Sequence, residues 1–168
     1  EYNLETIKES RAQNGGKLIM KGILQKSDTL NQNGRIYPRP ILEREVRNYQ
    51  KFIQENRALG ECDHPESSVV ELKNASHIIR EAHMDGDICY GTVELLDTPA
   101  GQILQSLVGS GVTLGISSRG VGSTAHEGDY QVVQDDFQLI CWDFVSEPST
   151  PGAFMMREGR EISPTELR

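Results

Sequence analysis

The stretch Gly115-Ile116-Ser117-Ser118-Arg119-Gly120 closes the most apolar run of the chain. Two serines and an arginine between glycines, at the end of a strand that reads as buried, suit either of two uses. One is a tight structural turn. The other is a nucleophile site, where glycines let backbone and substrate approach closely. A serine hydroxyl is a weak nucleophile at neutral pH. It needs a base within hydrogen-bond reach, and the base needs a third group to orient it. The chain offers four histidines. His64 lies in residues 59–66, LGECDHPE, a loop shaped by Gly60 and Pro65, where the ring has no evident packing duty. Loops carry both function and plain polarity, so a solvated His64 is the competing account. His77 and His83 fall in hairpin strands and read as surface or half-buried. His126, in TAHEGD, reads as a turn residue.

Strand parity supplies the third group. In residues 137–145, Phe137, Leu139, Cys141, Asp143 and Val145 share one face, and Gln138, Ile140, Trp142 and Phe144 share the other. Both faces read as covered, and a carboxylate there is costly unless it is hydrogen-bonded or paired. Asp143 is therefore the candidate to orient a histidine, with a purely structural buried acid as the alternative. Asp63, next to His64, competes for the same ring. Alternation sends Ser117 and Ser118 to opposite faces, so only one of them can meet the base. Arg119 and Gly120 are candidates to hold a developing oxyanion, through backbone N–H groups or the arginine's charge. A surface arginine at a strand end is the plainer account. A rival constellation is a metal site built from Cys62, His64, His77, His83 and Cys89, but the short paired spacings of zinc sites are absent.

The elements that must position these residues follow from pattern. Residues 17–24, KLIMKGIL, read as a strand, and residues 27–39 as a polar loop. Pro40 suits the first residue of a helix, whose stripe of Ile41, Leu42, Val46, Tyr49, Phe52 and Ile53 continues to about Leu59. Residues 76–84 and 88–95 form a hairpin around Asp85-Gly86. Thr98-Pro99 starts a second helix that buries Ile103, Leu104, Leu107 and Val108 and stops at Gly109 or Gly111. Residues 112–116 form a short strand that delivers Ser117, and residues 130–133 and 137–145 add two more. The tail from Glu147 is rich in Pro, Ser and Thr and is expected to leave the core. The fold class is α+β, a mainly antiparallel, barrel-like sheet with flanking helices.

The 168 residues suit one domain with a core over about 17–153 and polar terminal segments. With 25 Asp+Glu against 17 Lys+Arg the net charge is −8, and no basic cluster with interleaved aromatics occurs, so nucleic-acid binding is not expected. No apolar run approaches the roughly 20 residues of a membrane helix. Three cysteines without a CxxC pattern suggest reduced thiols in a cytosolic setting. A first residue of Glu1 suggests a fragment or processed form.

Four segments then occur in a telling order: GRIYPRPILEREV (34–46), ALGECDHPE (58–66), GVTLGISSRGVGS (111–123) and WDFVSEPSTPGA (142–153). Together they resemble the prohead core proteases of T-even-like tailed phages. The resemblance implies an assemblin-like fold and a serine endopeptidase of head maturation, working without cofactor or metal inside the prohead, in the host bacterial cytoplasm. Its implied substrates are the scaffold and core proteins, the major capsid protein and the enzyme itself. It implies His64 as base, Ser117 rather than Ser118 as nucleophile, and Asp143 as the third member. Cleavage is implied after Glu in Leu/Ile-x-Glu. The chain holds such triplets at 41–43, 59–61 and 79–81, where folding should protect them. A homo-oligomer is a further expectation, and a non-catalytic core protein of the same fold or a metal-stabilised binding domain are the alternatives.

Overall fold

The structure, a computed structural model, describes residues 17–157. The expectation of polar segments at the extreme ends lies outside those residues. The first strand, β1 (Leu18–Lys26), runs antiparallel to β5 (Ile88–Leu95), which pairs in turn with β4 (His77–Asp85). The β1 register slips between Ile23 and Gln25, so Leu24 is an extra residue there. Its side chain is fully buried over Gly91, where a Cβ would overlap it. A five-stranded sheet results, with β10 (Met155–Arg157) on the β1 edge and β3 (Leu59–Gly60) on the β4 edge. The β4–β5 loop is Gly86-Asp87, with Gly86 at φ +61°.

The remaining strands form two further sheets. β6 (Gly115–Val121) pairs antiparallel with β9 (Gln138–Val145). β2 (Arg35–Ile36), β8 (Tyr130–Val133) and β7 (Thr124–Glu127) form the third, in which β2 and β8 are parallel. The expected barrel is not closed. The sheets connect through single bridges, Cys62 with Phe144 and Gly115 with Phe154, where a barrel needs continuous ladders. His126 lies in β7, not in a turn.

Helix α1 (Arg39–Gln54) buries Ile41, Leu42, Val46 and Tyr49. Its Glu45 is also buried, and Oε1 accepts the Leu139 N–H at 2.9 Å, tying the helix to the start of β9. The helix stops short of the expected Leu59. Asn56 turns left-handed (φ +57°), the Arg57 N–H reaches back to the Phe52 carbonyl, and the Asn56 N–H reaches that of Ile53. This is a Schellman closure with asparagine in the position usually held by glycine, and it frees Leu59 to become β3. Helix α2 (Pro99–Gly109) starts as expected, with the Thr98 hydroxyl accepting the Gly101 N–H at 3.1 Å. Its buried stripe is narrower than expected. Leu104 and Val108 are enclosed, whereas Ile103 is 61% exposed. No helix among the described residues is long and apolar enough to cross a membrane.

Two further corrections bear on the site. The segment after Glu147 does not leave the core. Thr150, Ala153 and Met155 are buried, the Ile116 N–H donates to the Ala153 carbonyl, and β10 joins β1. His77, expected at or near the surface, is fully buried. Its Nε2 lies 2.8 Å from the Trp142 carbonyl, to which it donates, and Nδ1 accepts from the Ser76 hydroxyl at 2.7 Å. Gly60 passes so close to this ring that a side chain there would overlap it. Burial pushes the His77 imidazolium down to about 4 from 6.5. The unfolded chain therefore binds a proton between pH 6.5 and 4 that the folded chain refuses. Stability is expected to be full above about pH 6.5 and to fall by on the order of 3 kcal/mol as pH drops toward 4. Urea midpoints for the parent and His77→Gln over that range check this: the variant starts less stable, and its midpoint changes less with pH.

Candidate active site

The β6–β9 register brings the candidates together. Ser117 pairs with Asp143 and Arg119 with Cys141, so all four side chains share one face. The Phe144 backbone turns away from β6. Its N–H donates to the Glu61 carbonyl at 3.0 Å, and its carbonyl accepts the Asp63 N–H at 2.8 Å. Those two bonds hold the 61–64 segment alongside β9. Asp63 and His64 both adopt left-handed conformations, at φ +65° and +58°. Consecutive non-glycine residues in that region are strained and persist only when the surroundings fix them. Here they bring the His64 ring back onto Asp143, with Nδ1 and Oδ2 2.8 Å apart.

Asp143 is fully enclosed and saturated with donors. Besides His64, its Oδ2 accepts Arg119 Nε at 2.9 Å. Its Oδ1 accepts an Arg119 terminal N–H at 2.9 Å, the Glu61 N–H at 3.0 Å and the Cys141 thiol at 3.4 Å. Burial by itself would raise this carboxyl, but the hydrogen bonds from His64, Arg119 and Glu61 outweigh it and hold Asp143 down at about 2. Asp63, the competing partner for His64, lies instead in the cleft wall.

His64 is half-exposed and shares with Ser117 a cleft of about 390 Å³. No hydrogen bond joins them. The Ser117 hydroxyl pairs with that of Ser149 at 2.8 Å, and the Ser149 carbonyl is fixed by the Gln32 N–H at 2.9 Å. Ser118 pairs with Trp142 on the opposite face, half-buried. The Arg119 guanidinium is not at the surface and is not free for an oxyanion: it is spent on Asp143, Glu61 and the Ser67 carbonyl. Since the Ile116 N–H leaves β6 toward Ala153, alternation sends the Arg119 N–H into the β9 ladder and the Ser118 N–H away from it. Gly120 lines a different depression, with Arg35 and Tyr37, where a Cβ would meet the Phe137 ring at 2.5 Å. The structure thus gathers His64, Ser117 and Asp143, and leaves Gly120 outside. Cys62, His64, His77, His83 and Cys89 do not converge, and no group of three or more metal-ligating side chains occurs among the described residues.

Sequence pattern missed Glu61 and Ser149. Both lie inside conspicuous segments, LGECDHPE and SEPSTPGA, but each looks like an ordinary polar residue until the chain closes on itself.

A strand-borne serine beside a histidine that a buried carboxylate holds is a layout used by hydrolases that work by acyl transfer. Residues 4–165 match the family model described as prohead core protein serine protease, and the chain belongs to that family, a family of peptidases of phage prohead assembly. It is 33% identical over 143 residues to the prohead core protein protease of Enterobacteria phage T4, covering 82% of this chain and 68% of that protein. The solved structure of the bacteriophage T4 capsid assembly protease superposes with a TM-score of 0.76 at 30% identity, over 79% of this chain and 84% of that one. The α+β architecture is shared with it.

Proposed function

We propose that this chain is a serine endopeptidase in which Ser117 attacks the scissile carbonyl, His64 takes its proton and Asp143 orients the imidazole. The observation that carries the reading is the 2.8 Å pairing of His64 with Asp143, directly across the ladder from Ser117. Asp143 fixes the tautomer by accepting from Nδ1, which leaves Nε2 toward the cleft to accept the Ser117 proton as the acyl-enzyme forms. His64 then hands that proton to the leaving amine, and water releases the acyl group with His64 as base again. Ser117 must exchange its bond to Ser149 for one to His64 across the cleft they share. The Ser118 N–H is the donor assigned here to the oxyanion, because the ladder does not use it.

The substrates are scaffold and core proteins, the capsid protein and the chain itself, inside the prohead in the bacterial host, with no nucleic acid, membrane or cofactor required. The assemblin-like relationship and a homo-oligomeric working state belong to the same proposal. Cleavage after glutamate in Leu/Ile-x-Glu is supported by the motif resemblance. The cleft offers that side chain Gln32 and Asn33, while its two carboxylates, Asp63 and Glu147, would repel it. The three internal triplets lie in or beside α1, β3 and β4, where the chain is not free to enter a cleft.

The test is incubation of the full chain with a peptide containing Ile-x-Glu, read by mass spectrometry with and without chelator. Cleavage after the glutamate that ignores chelator, together with a fluorophosphonate adduct on Ser117, is the expected result. An adduct on Ser118, or activity that chelator removes, would sink the assignment.

A further inference from the structure

Glu61 has no role in the proposed proton transfers, yet it is 1% exposed and sits against the pair that holds His64. Its Oε2 accepts an Arg119 terminal N–H at 2.9 Å and the Glu71 N–H at 3.3 Å, while Oε1 has no partner. A second enclosed carboxylate with an unsatisfied oxygen is expensive. If a hydrogen bond to Arg119 were its whole task, a glutamine oxygen could accept the same N–H, by a weaker bond, without burying a second charge.

The charges suggest the reason. The Arg119 guanidinium meets both oxygens of Asp143, at 2.9 Å each. By itself that pairing would leave His64 facing a neutral couple, with little to stabilise an imidazolium. Glu61 adds one negative charge on the adjoining edge of the guanidinium, its Oε2 and Asp143 Oδ1 sharing one terminal nitrogen at 2.9 Å each, so the Glu61–Arg119–Asp143 group carries a net −1. We propose that Glu61 is a positioning residue that, through Arg119, restores net negative charge beneath His64, and thereby lets one strand-borne arginine lock Asp143 in place without cancelling its effect on the base. The inference rests on the reading of His64 as the general base.

The other charged or titratable groups around His64 do not supply this function. Asp63 and Glu147 line the open cleft, where water screens them. Cys141, behind Asp143, is pushed up by burial and stays a thiol. Cys62, on the same loop, is likewise raised by burial. His77, on β4, is enclosed and held neutral.

The experiment follows the His64 ring signals by NMR against pH in the full chain, with Ser117→Ala as the common background so that self-cleavage does not intrude. Glu61→Gln should move the His64 titration midpoint about one pH unit toward acid, since the imidazolium loses its net counter-charge. Arg119→Gln should move it by a similar amount in the opposite direction, and the double variant, again at net −1, should return it close to the parent. A purely structural Glu61 predicts no such opposed pair and no recovery. Should Arg119→Gln fail to fold, as the loss of the shared guanidinium favours, the acid shift of Glu61→Gln decides, with Glu61→Asp, which keeps the charge, expected to leave the midpoint near the parent. Unmoved midpoints, or two shifts in the same direction, would overturn the inference. Opposed shifts in a protein that never cleaves peptide would leave the charge device standing and refute the protease reading, whereas an active protease with unmoved midpoints would do the reverse.

Discussion

Ser117→Ala is expected to lower kcat/KM for an Ile-x-Glu peptide by roughly 10⁴-fold or more. The alanine removes the only atom proposed to form a bond with substrate, and what remains is the residual catalysis of binding and oxyanion stabilisation. The effect should be non-additive: Ser117→Ala/His64→Ala should be no slower than Ser117→Ala, because a base without its nucleophile has nothing to activate. Ser118→Ala is the matched control. Its side chain lies across from Trp142 on the other face of β6, and its proposed contribution is a backbone N–H that alanine keeps. It should stay within a few-fold of the parent. Peptide cleavage by the purified proteins, with circular dichroism to confirm folding, checks all of these. A Ser117→Ala protein within tenfold of the parent, or a Ser118→Ala protein that is dead, would overturn the choice of nucleophile.

That choice shows where sequence pattern stopped. Alternation along residues 137–145 placed Asp143 on an enclosed face, because period two is a local property that neighbouring side chains reveal. The start of α2 was legible for the same reason, since Thr98 and Pro99 act on the first turn they adjoin. The end of α1 is local too, but its signal is an asparagine in the position usually held by glycine, at Asn56, and the apolar stripe reads on past it. Ser149, Glu61 and the packing of residues 150–157 were not legible from pattern. Each depends on a partner far along the chain: Ser149 meets Ser117, Glu61 meets Arg119, and Ala153 meets Ile116. A segment rich in Pro, Ser and Thr looks like a departing tail by composition, and only the free edge of β6 explains why it returns. His77 misled for a related reason. A histidine in a hairpin strand is usually half-wet, but here the close pass of Gly60 and the Trp142 carbonyl encloses it. The open sheet follows from the same long-range pairings, because single bridges at Phe144 and Phe154 stand where a barrel needs ladders.

The second large effect concerns stability. Arg119→Met should destabilise the fold by about 3–5 kcal/mol, enough to unfold much of a marginal domain. The methionine fills a similar space, so the loss is electrostatic. It strands Glu61 and Asp143, two enclosed carboxylates that share one guanidinium, and leaves the Ser67 carbonyl without its donor at 2.7 Å. The size reflects the charges left behind and not the worth of the ion pairs, since burying them was itself costly. Two consequences separate this account from simple loss of packing. Adding Glu61→Gln to Arg119→Met should recover part of the loss, because one stranded charge is removed; a packing defect would not be repaired by a change at position 61. The pH dependence should also invert. In the parent, Asp143 is held at about 2 against 3.8 when unpaired, so its contribution is complete above pH 3.8 and is lost as pH falls toward 2. In Arg119→Met, burial without a cation favours the protonated carboxyl, so mild acid should narrow the gap between variant and parent. Urea unfolding of the parent and both variants from pH 7 to pH 5 measures this. A gap that stays constant with pH, or that Glu61→Gln widens, would mean that Arg119 serves mainly as a packing element, and that Asp143 owes its position to the backbone of β9 and to the N–H of Glu61.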